Sequence, residues 1–127
     1  MGSVKQPYCF EVGQGDLFAL AGLWDQWKSA DGEIIESCTI LTTTPNSLVA
    51  DMHDRMPVIL DPDDYDLWLD QGMRDTTAAS ELLKTFNARL MQCYPVSMRI
   101  NSAANDDEDC SRPVELADLQ SRLSSGM

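Results

Sequence analysis

The chain has 127 residues, 43% of them hydrophobic, a formal net charge of −12 and four cysteines. That length can bury a core without metals or disulfides, and no run of eighteen apolar residues offers a membrane span. The acidic balance argues against broad phosphate binding, which draws on Lys and Arg. The charge is nevertheless clustered, in Asp61, Asp63, Asp64, Asp66 and Asp70 and again in Asp106-Asp107-Glu108-Asp109. Such runs usually form solvated faces or tails. Cys9, Cys38, Cys93 and Cys110 show no Cys-x-x-Cys spacing, and His53 is the one histidine. Reduced structural thiols and the absence of any metal or cofactor are therefore expected. The opening residues carry no apolar signal core, so a cytoplasmic location is expected.

In chain order, residues 5–12 read as a strand, followed by the turn Gly13-Gln14-Gly15-Asp16 and the apolar run 17–27. The pair is expected to form a hairpin. Ala30-Asp31-Gly32 marks a second hairpin turn, leading into the β-branched stretch 34–44. Three consecutive strands would make a meander. Pro45-Asn46-Ser47 breaks the pattern, with a short helix or turn over 47–52, and residues 56–60 form a short apolar strand.

Asp61 then supplies an N-cap before Pro62 at the first helical position. Tyr65, Trp68 and Leu69 share one helical face up to Gly72. A second helix is expected from about Thr77, with Ala79, Leu82, Leu83, Phe86 and Leu90 aligned. Val96, Met98 and Ile100 alternate with polar residues as a last strand. From 103 onward the chain reads as loop and loose tail, with a helical turn within 113–123. No linker or repeat divides the chain, and the pattern describes one α+β unit of mainly antiparallel strands.

The chemistry offered by these elements is sparse. His53 lies in a loop entering a strand, where working side chains often sit. A structural histidine bonded to a nearby carbonyl is the commoner reading of such a residue. Arg55 suits a phosphate or an ion pair with one of the neighbouring carboxylates. Thr42, Thr43 and Thr44 could donate hydroxyls to a phosphate or simply reflect β-propensity. Trp24, Trp27 and Trp68 could stack on bases or pack in a core. Asp25 has no visible acid/base partner.

Several segments together resemble the SOS response-associated peptidase family. They are Lys5-Gln6-Pro7-Tyr8, Ala21-Gly22-Leu23-Trp24, Cys38-Thr39-Ile40-Leu41-Thr42-Thr43, His53-Asp54-Arg55-Met56-Pro57-Val58-Ile59-Leu60 and Trp68-Leu69. Val96-Ser97, Asn101 and Asn105-Asp106-Asp107 extend the match. The resemblance covers roughly residues 5–107, with residues 108–127 as an acidic, polar tail.

It implies an α+β fold with a curved, mainly antiparallel, barrel-like sheet and a few short helices. It also implies binding of single-stranded DNA, crosslinking of abasic sites through an N-terminal cysteine, and self-processing peptidase chemistry. His53 matches the family's acid/base histidine, and Arg55 and Thr42 match positions expected near the DNA backbone. The family's Met-Cys-Gly-Arg start, its Asn-x-Arg segment and its Gly-Phe-Tyr-Glu-Trp segment would precede Lys5 and have no counterpart here. The resemblance therefore implies the C-terminal part of the domain, inactive alone, or paired with a polypeptide supplying the N-terminal half. The other reading is a remnant that only binds DNA or a partner.

Overall fold

The computed structural model describes residues 5–115. Six strands run in chain order as β1 (Tyr8–Val12), β2 (Gly22–Lys28), β3 (Ile34–Ile40), β4 (Thr42–Thr43), β5 (Met56–Pro57) and β6 (Met91–Pro95). Two short α-helices, α1 (Tyr65–Trp68) and α2 (Thr76–Glu81), lie between β5 and β6. The strands pair antiparallel as β1 with β6, β2 with β3 and β4 with β5. The class is α+β. Chain contacts divide the described residues into two compact units, 5–14 with 91–115 and 15–90, although no linker in the sequence marks the division.

In the first unit, β1 pairs along its full length with β6, Tyr8 opposite Pro95 and Val12 opposite Met91. The expected hairpin with residues 17–27, and with it the three-strand meander, does not form. Gly13 and Gly15 take positive φ values of 61° and 83°, a conformation open to glycine. This turn redirects the chain rather than closing a hairpin, and β1 finds its partner some eighty residues later. The last strand also lies earlier than its alternation suggests. Val96 ends the ladder as a buried residue in an isolated bridge to Pro113. Ser97 Oγ then accepts from the Arg99 N–H at 3.2 Å and caps a 3₁₀ turn over Met98–Asn101. That local capping bond competes with strand extension.

Of the stretch 108–127 read as a polar tail, residues 108–115 are described. They form a 3₁₀ turn, Glu108–Ser111, with Cys110 buried, and the Val114 N–H donates to the Pro95 carbonyl at 2.9 Å. The helical turn expected over 113–123 lies mostly outside the described residues. Across the ladder, the Tyr94 hydroxyl donates to Glu11 Oε1 at 2.9 Å, with the Ser111 carbonyl also 2.9 Å away. Hydrogen bonding to Cys9, then to Glu11, together with partial burial, holds the phenol in its protonated form well above the ordinary tyrosine range.

The second unit is built around Ala21, Val58, Leu60 and Leu82, with Leu41, Tyr65, Trp68 and Leu83 packed against them. Three backbone bonds close a ring among separate segments. The Ala21 N–H donates to Val58 O at 2.8 Å, Val58 N–H to Leu41 O at 2.9 Å, and Leu41 N–H to Ala21 O at 3.0 Å. The Asp31-Gly32 turn closes the β2–β3 hairpin as its composition suggests, with Gly32 at φ 84°. Asp61 Oδ1 accepts from the Asp63 N–H at 3.0 Å and caps the 3₁₀ turn Pro62–Asp64 that leads into α1. Asp75 Oδ1 caps α2 in the same way through Thr77 and Ala78. The helix stops at Glu81 instead of running to Leu90. Leu82 enters the core there, the Leu83 N–H still donates to the Ser80 carbonyl at 3.1 Å, and the chain then runs on to a 3₁₀ turn at Ala88–Leu90.

Asn46 is the buried polar residue of this unit. Its Oδ1 accepts from the Leu48 and Val49 N–H groups at 3.1 and 3.0 Å, and its Nδ2 donates to the Phe86 carbonyl at 2.9 Å. Asn46→Ala should cost roughly 1–3 kcal/mol, since buried donors and acceptors lose their partners. Denaturant unfolding measures it, and a loss below experimental error would show that water satisfies these groups. For Tyr94, the raised folded-state pKa means the unfolded chain ionises first, from about pH 10. Its contribution is complete below that pH and lost as pH rises beyond it. Stability of the parent chain should thus fall more steeply above about pH 10 than that of Tyr94→Phe, as paired melts across that range would reveal.

Candidate functional site

Thr42, His53 and Arg55 come together where β4 meets β5. Leu41 and Val58 are fixed by the backbone ring, so Thr42 follows one fixed point directly and Arg55 precedes the other by three residues. The β4–β5 register, Thr42 opposite Pro57 and Thr43 opposite Met56, completes the alignment. The Arg55 side chain folds onto Thr42. Its Nε donates to Thr42 Oγ1 at 3.2 Å, and its Nη2 donates to the Thr42 carbonyl at 2.8 Å and to Oγ1 at 3.1 Å.

The ion pair with a neighbouring carboxylate is not the geometry that Arg55 adopts. Among the described residues no carboxylate pairs with it, although Asp51 and Asp54 are close in sequence. Its tether is a hydroxyl and a carbonyl, both neutral, so the positive charge is held without being cancelled. Nη1 makes no hydrogen bond among the described residues, leaving two N–H groups of the guanidinium fork available.

His53 sits at the end of a turn initiated by Asn46. The Ala50 N–H donates to Asn46 O, and the Met52 and His53 N–H groups both donate to Val49 O, each at 2.9 Å. The imidazole is exposed, with 68% of the side chain accessible. Its Nδ1 accepts from the Arg55 N–H at 3.1 Å, which places the proton of the neutral ring on Nε2. Asp54 Oδ1 lies 3.4 Å from Nδ1, ready to pair when the ring is doubly protonated. His53 therefore presents a directed Nε2 to solvent instead of a core contact.

The remaining sequence candidates lie elsewhere. Trp24 and Trp27 are exposed on β2, while Trp68 is half-buried, with Nε1 donating to Gly22 O at 3.2 Å. Gly22, Trp24, Trp68, Leu69 and Met73 line an open cleft of about 400 Å³ that Thr42, His53 and Arg55 do not border. Asp25 Oδ1 accepts from the neighbouring Gln26 N–H at 2.8 Å, a local turn-like bond with no acid/base partner. No cluster of three His, Cys, Asp or Glu side chains suited to a metal occurs among the described residues. No helix there is long and apolar enough to cross a membrane. Asn46 is the residue sequence reasoning passed over. Its signal was a cap-forming Asn two residues before an apolar pair, Leu48-Val49, read only as a break.

Comparison with known proteins shows the family to which the chain belongs. The family model described as SOS response associated peptidase (SRAP) matches residues 1–103. The abasic site processing protein YoqW of Bacillus subtilis is 38% identical over 105 residues, covering 83% of this chain and 47% of that protein. The abasic site processing protein HMCES of Gallus gallus is 36% identical over 102 residues, covering 79% of this chain and 30% of its own length. A crystal structure of a Bacteroides thetaiotaomicron protein superposes with a TM-score of 0.74 at 31% identity, over 90% of this chain and 51% of that one. The chain thus spans about half the length of YoqW or less of longer relatives. It belongs to the SOS response associated peptidase family.

Proposed function

We propose that this chain supplies the DNA-backbone and acid/base side of an abasic-site processing domain acting on single-stranded DNA. One observation carries the reading: Arg55, in a strongly acidic chain, keeps an uncompensated charge beside an exposed histidine. Nη1 of Arg55 engages a phosphate next to the lesion, and the Thr42 tether fixes where that phosphate sits. His53 Nε2 then faces the abasic sugar. Opening the cyclic hemiacetal to the aldehyde requires a proton on the ring oxygen and loss of one from the anomeric hydroxyl. The doubly protonated His53 ring, with Nδ1–H paired to Asp54, gives its Nε2 proton to the ring oxygen and is left neutral, while water takes the hydroxyl proton.

The aldehyde would next be captured by an amine and thiol of a single residue, closing a thiazolidine with loss of one water. The nucleophile belongs to the part of the family domain that this chain does not match. The peptidase-type self-processing depends on that same nucleophile. A second reading drops the chemistry and leaves a chain that only binds DNA or a partner polypeptide; exposed Asp54 beside His53, which opposes an approaching phosphate, favours the partner.

Fluorescence anisotropy with abasic single-stranded DNA tests the binding step. Arg55→Ala should weaken binding roughly tenfold, the scale of one charge-assisted contact, and flatten the salt dependence by about 0.7 in log–log slope. Equal affinity and slope in parent and variant would remove Arg55 from the interface. The 127-residue chain alone should give no adduct that survives denaturation. A stable shifted band lost in Cys9→Ser would relocate the nucleophile to β1. His53→Ala should change stability by about 0.5 kcal/mol or less, and a large drop in melting temperature would instead make it structural.

A further inference from the structure

Asn46 is nine-tenths buried, and its side chain bonds to backbone in two separate stretches of chain. Oδ1 accepts from the Leu48 and Val49 N–H groups at 3.1 and 3.0 Å, which caps the turn leading to His53. Nδ2 reaches forty positions along the sequence and donates to the Phe86 carbonyl at 2.9 Å. A local Asn turn needs only the first pair of bonds. The bond to Phe86 ties that turn to a segment which is itself stitched to the chain just after β4. There Thr85 Oγ1 donates to the Thr44 carbonyl at 2.9 Å. The Asn46 N–H also donates to Met56 Sδ at 3.3 Å, and Met56 lies opposite Thr43 in the β4–β5 pair. Thr43, Thr44, Asn46, Met56, Thr85 and Phe86 thus form one anchored block, adjoining both Thr42 and Arg55.

From that block the constraint reaches His53 by backbone steps. Val49, whose N–H is held by Asn46, accepts with its carbonyl from the Met52 and His53 N–H groups, both at 2.9 Å. The imidazole in turn accepts from the Arg55 N–H through Nδ1 at 3.1 Å. That last bond survives only while Nδ1 is unprotonated. The links through Asn46 and Val49 involve no titrating group, so they hold the His53 backbone in both ring states. A histidine that gains and loses a proton needs such an anchor, or its ring would shift with each transfer. Asparagine supplies it as a neutral side chain with an acceptor and two donors. Aspartate would keep the turn but set an anionic oxygen against the Phe86 carbonyl.

We infer that Asn46 is a positioning residue for the acid/base step. It fixes His53 relative to Arg55 and Thr42 through the turn, not by contact with DNA. The inference rests on the proposed function above, which gives His53 and Arg55 their roles.

The test uses the full 127-residue chain and two variants. Asn46→Ala removes both sets of side-chain bonds, while Asn46→Ser keeps an acceptor for the turn and loses the reach to Phe86. Amide exchange followed by NMR separates local loosening from a general loss of stability. In Asn46→Ala the Met52 and His53 amides should accelerate at least about tenfold more than the Ala21, Leu41 and Val58 amides. Asn46→Ser should show the same order with a smaller excess, and it carries the test if Asn46→Ala does not fold. Equal acceleration at His53 and Val58 would make Asn46 a stabiliser of the whole unit and overturn the inference. Anisotropy with abasic single-stranded DNA supplies the functional half, at a temperature where melting curves show every variant folded. Asn46→Ala should weaken binding about fivefold in the parent and less than about twofold in the Arg55→Ala background, the non-additivity of residues acting through one contact. Equal losses in both backgrounds would end the positioning role. An Arg55→Ala chain that binds as the parent does would sink the proposed function instead, and the exchange comparison would still decide whether Asn46 anchors His53.

Discussion

The ring of backbone hydrogen bonds joining Ala21, Leu41 and Val58 is the constraint on which the second unit depends. Each residue donates to one partner and accepts from the other, so three segments far apart in sequence are fixed by three bonds of 2.8 to 3.0 Å. Ala21 and Val58 are fully buried at this point. No water is available there to replace a lost bond, which makes each costly to leave unmade. A small side chain at Ala21 lets the three backbones approach. The Leu60 N–H, bonded to Ala19 O at 3.0 Å, and the Leu20–Ile59 bridge extend the same seam.

Everything with chemical interest leaves from this ring. Gly22 and Ile40, the two ends of the β2–β3 hairpin, are the immediate neighbours of Ala21 and Leu41. Thr42 follows Leu41 on the other side, and Arg55 and His53 lie three and five residues before Val58. The hairpin thus projects from one side of the junction and the candidate site forms on the other. Gly22 itself admits little more than it has: a Cβ there would lie 3.3 Å from the Thr39 carbonyl. Asn46 performs a related service for His53, joining the turn that carries it to Phe86 through side-chain bonds.

Local signals in the sequence are legible where the chemistry is local. The Asp31-Gly32 hairpin, the Asp61-Pro62 cap and the start of α2 all follow from side chains acting on backbone a few residues away. Pairing across long separations is not written in that way. The glycine turn after β1 announces a change of direction, and nothing near it indicates that Cys9 will face Tyr94. The alternation of Val96, Met98 and Ile100 is real, yet one Ser97 hydroxyl was enough to divert it into a 3₁₀ turn. Thr42, His53 and Arg55 could be singled out by residue type and family resemblance. Their convergence could not, because it depends on the ring, and the ring uses backbone groups that every residue possesses.

Charge placement explains how an acidic chain can keep Arg55 available, as it does Lys28, Arg74, Lys84 and Arg89, which also form no ion pair among the described residues. In the first unit, the acidic block 106–109 engages the arginines described there, Arg99 with Asp107 and Arg112 with Glu108 and Asp109. These exposed pairs contribute little stability, but they occupy both guanidinium groups. Arg55 in the second unit is held by Thr42 alone. A carboxylate in place of Thr42 would anchor the side chain more strongly and cancel its charge, leaving nothing for a phosphate. A hydroxyl and a carbonyl fix the orientation while preserving the field. Selecting threonine for the tether thus separates the two tasks of positioning a cation and neutralising it, and only the first serves an anionic ligand.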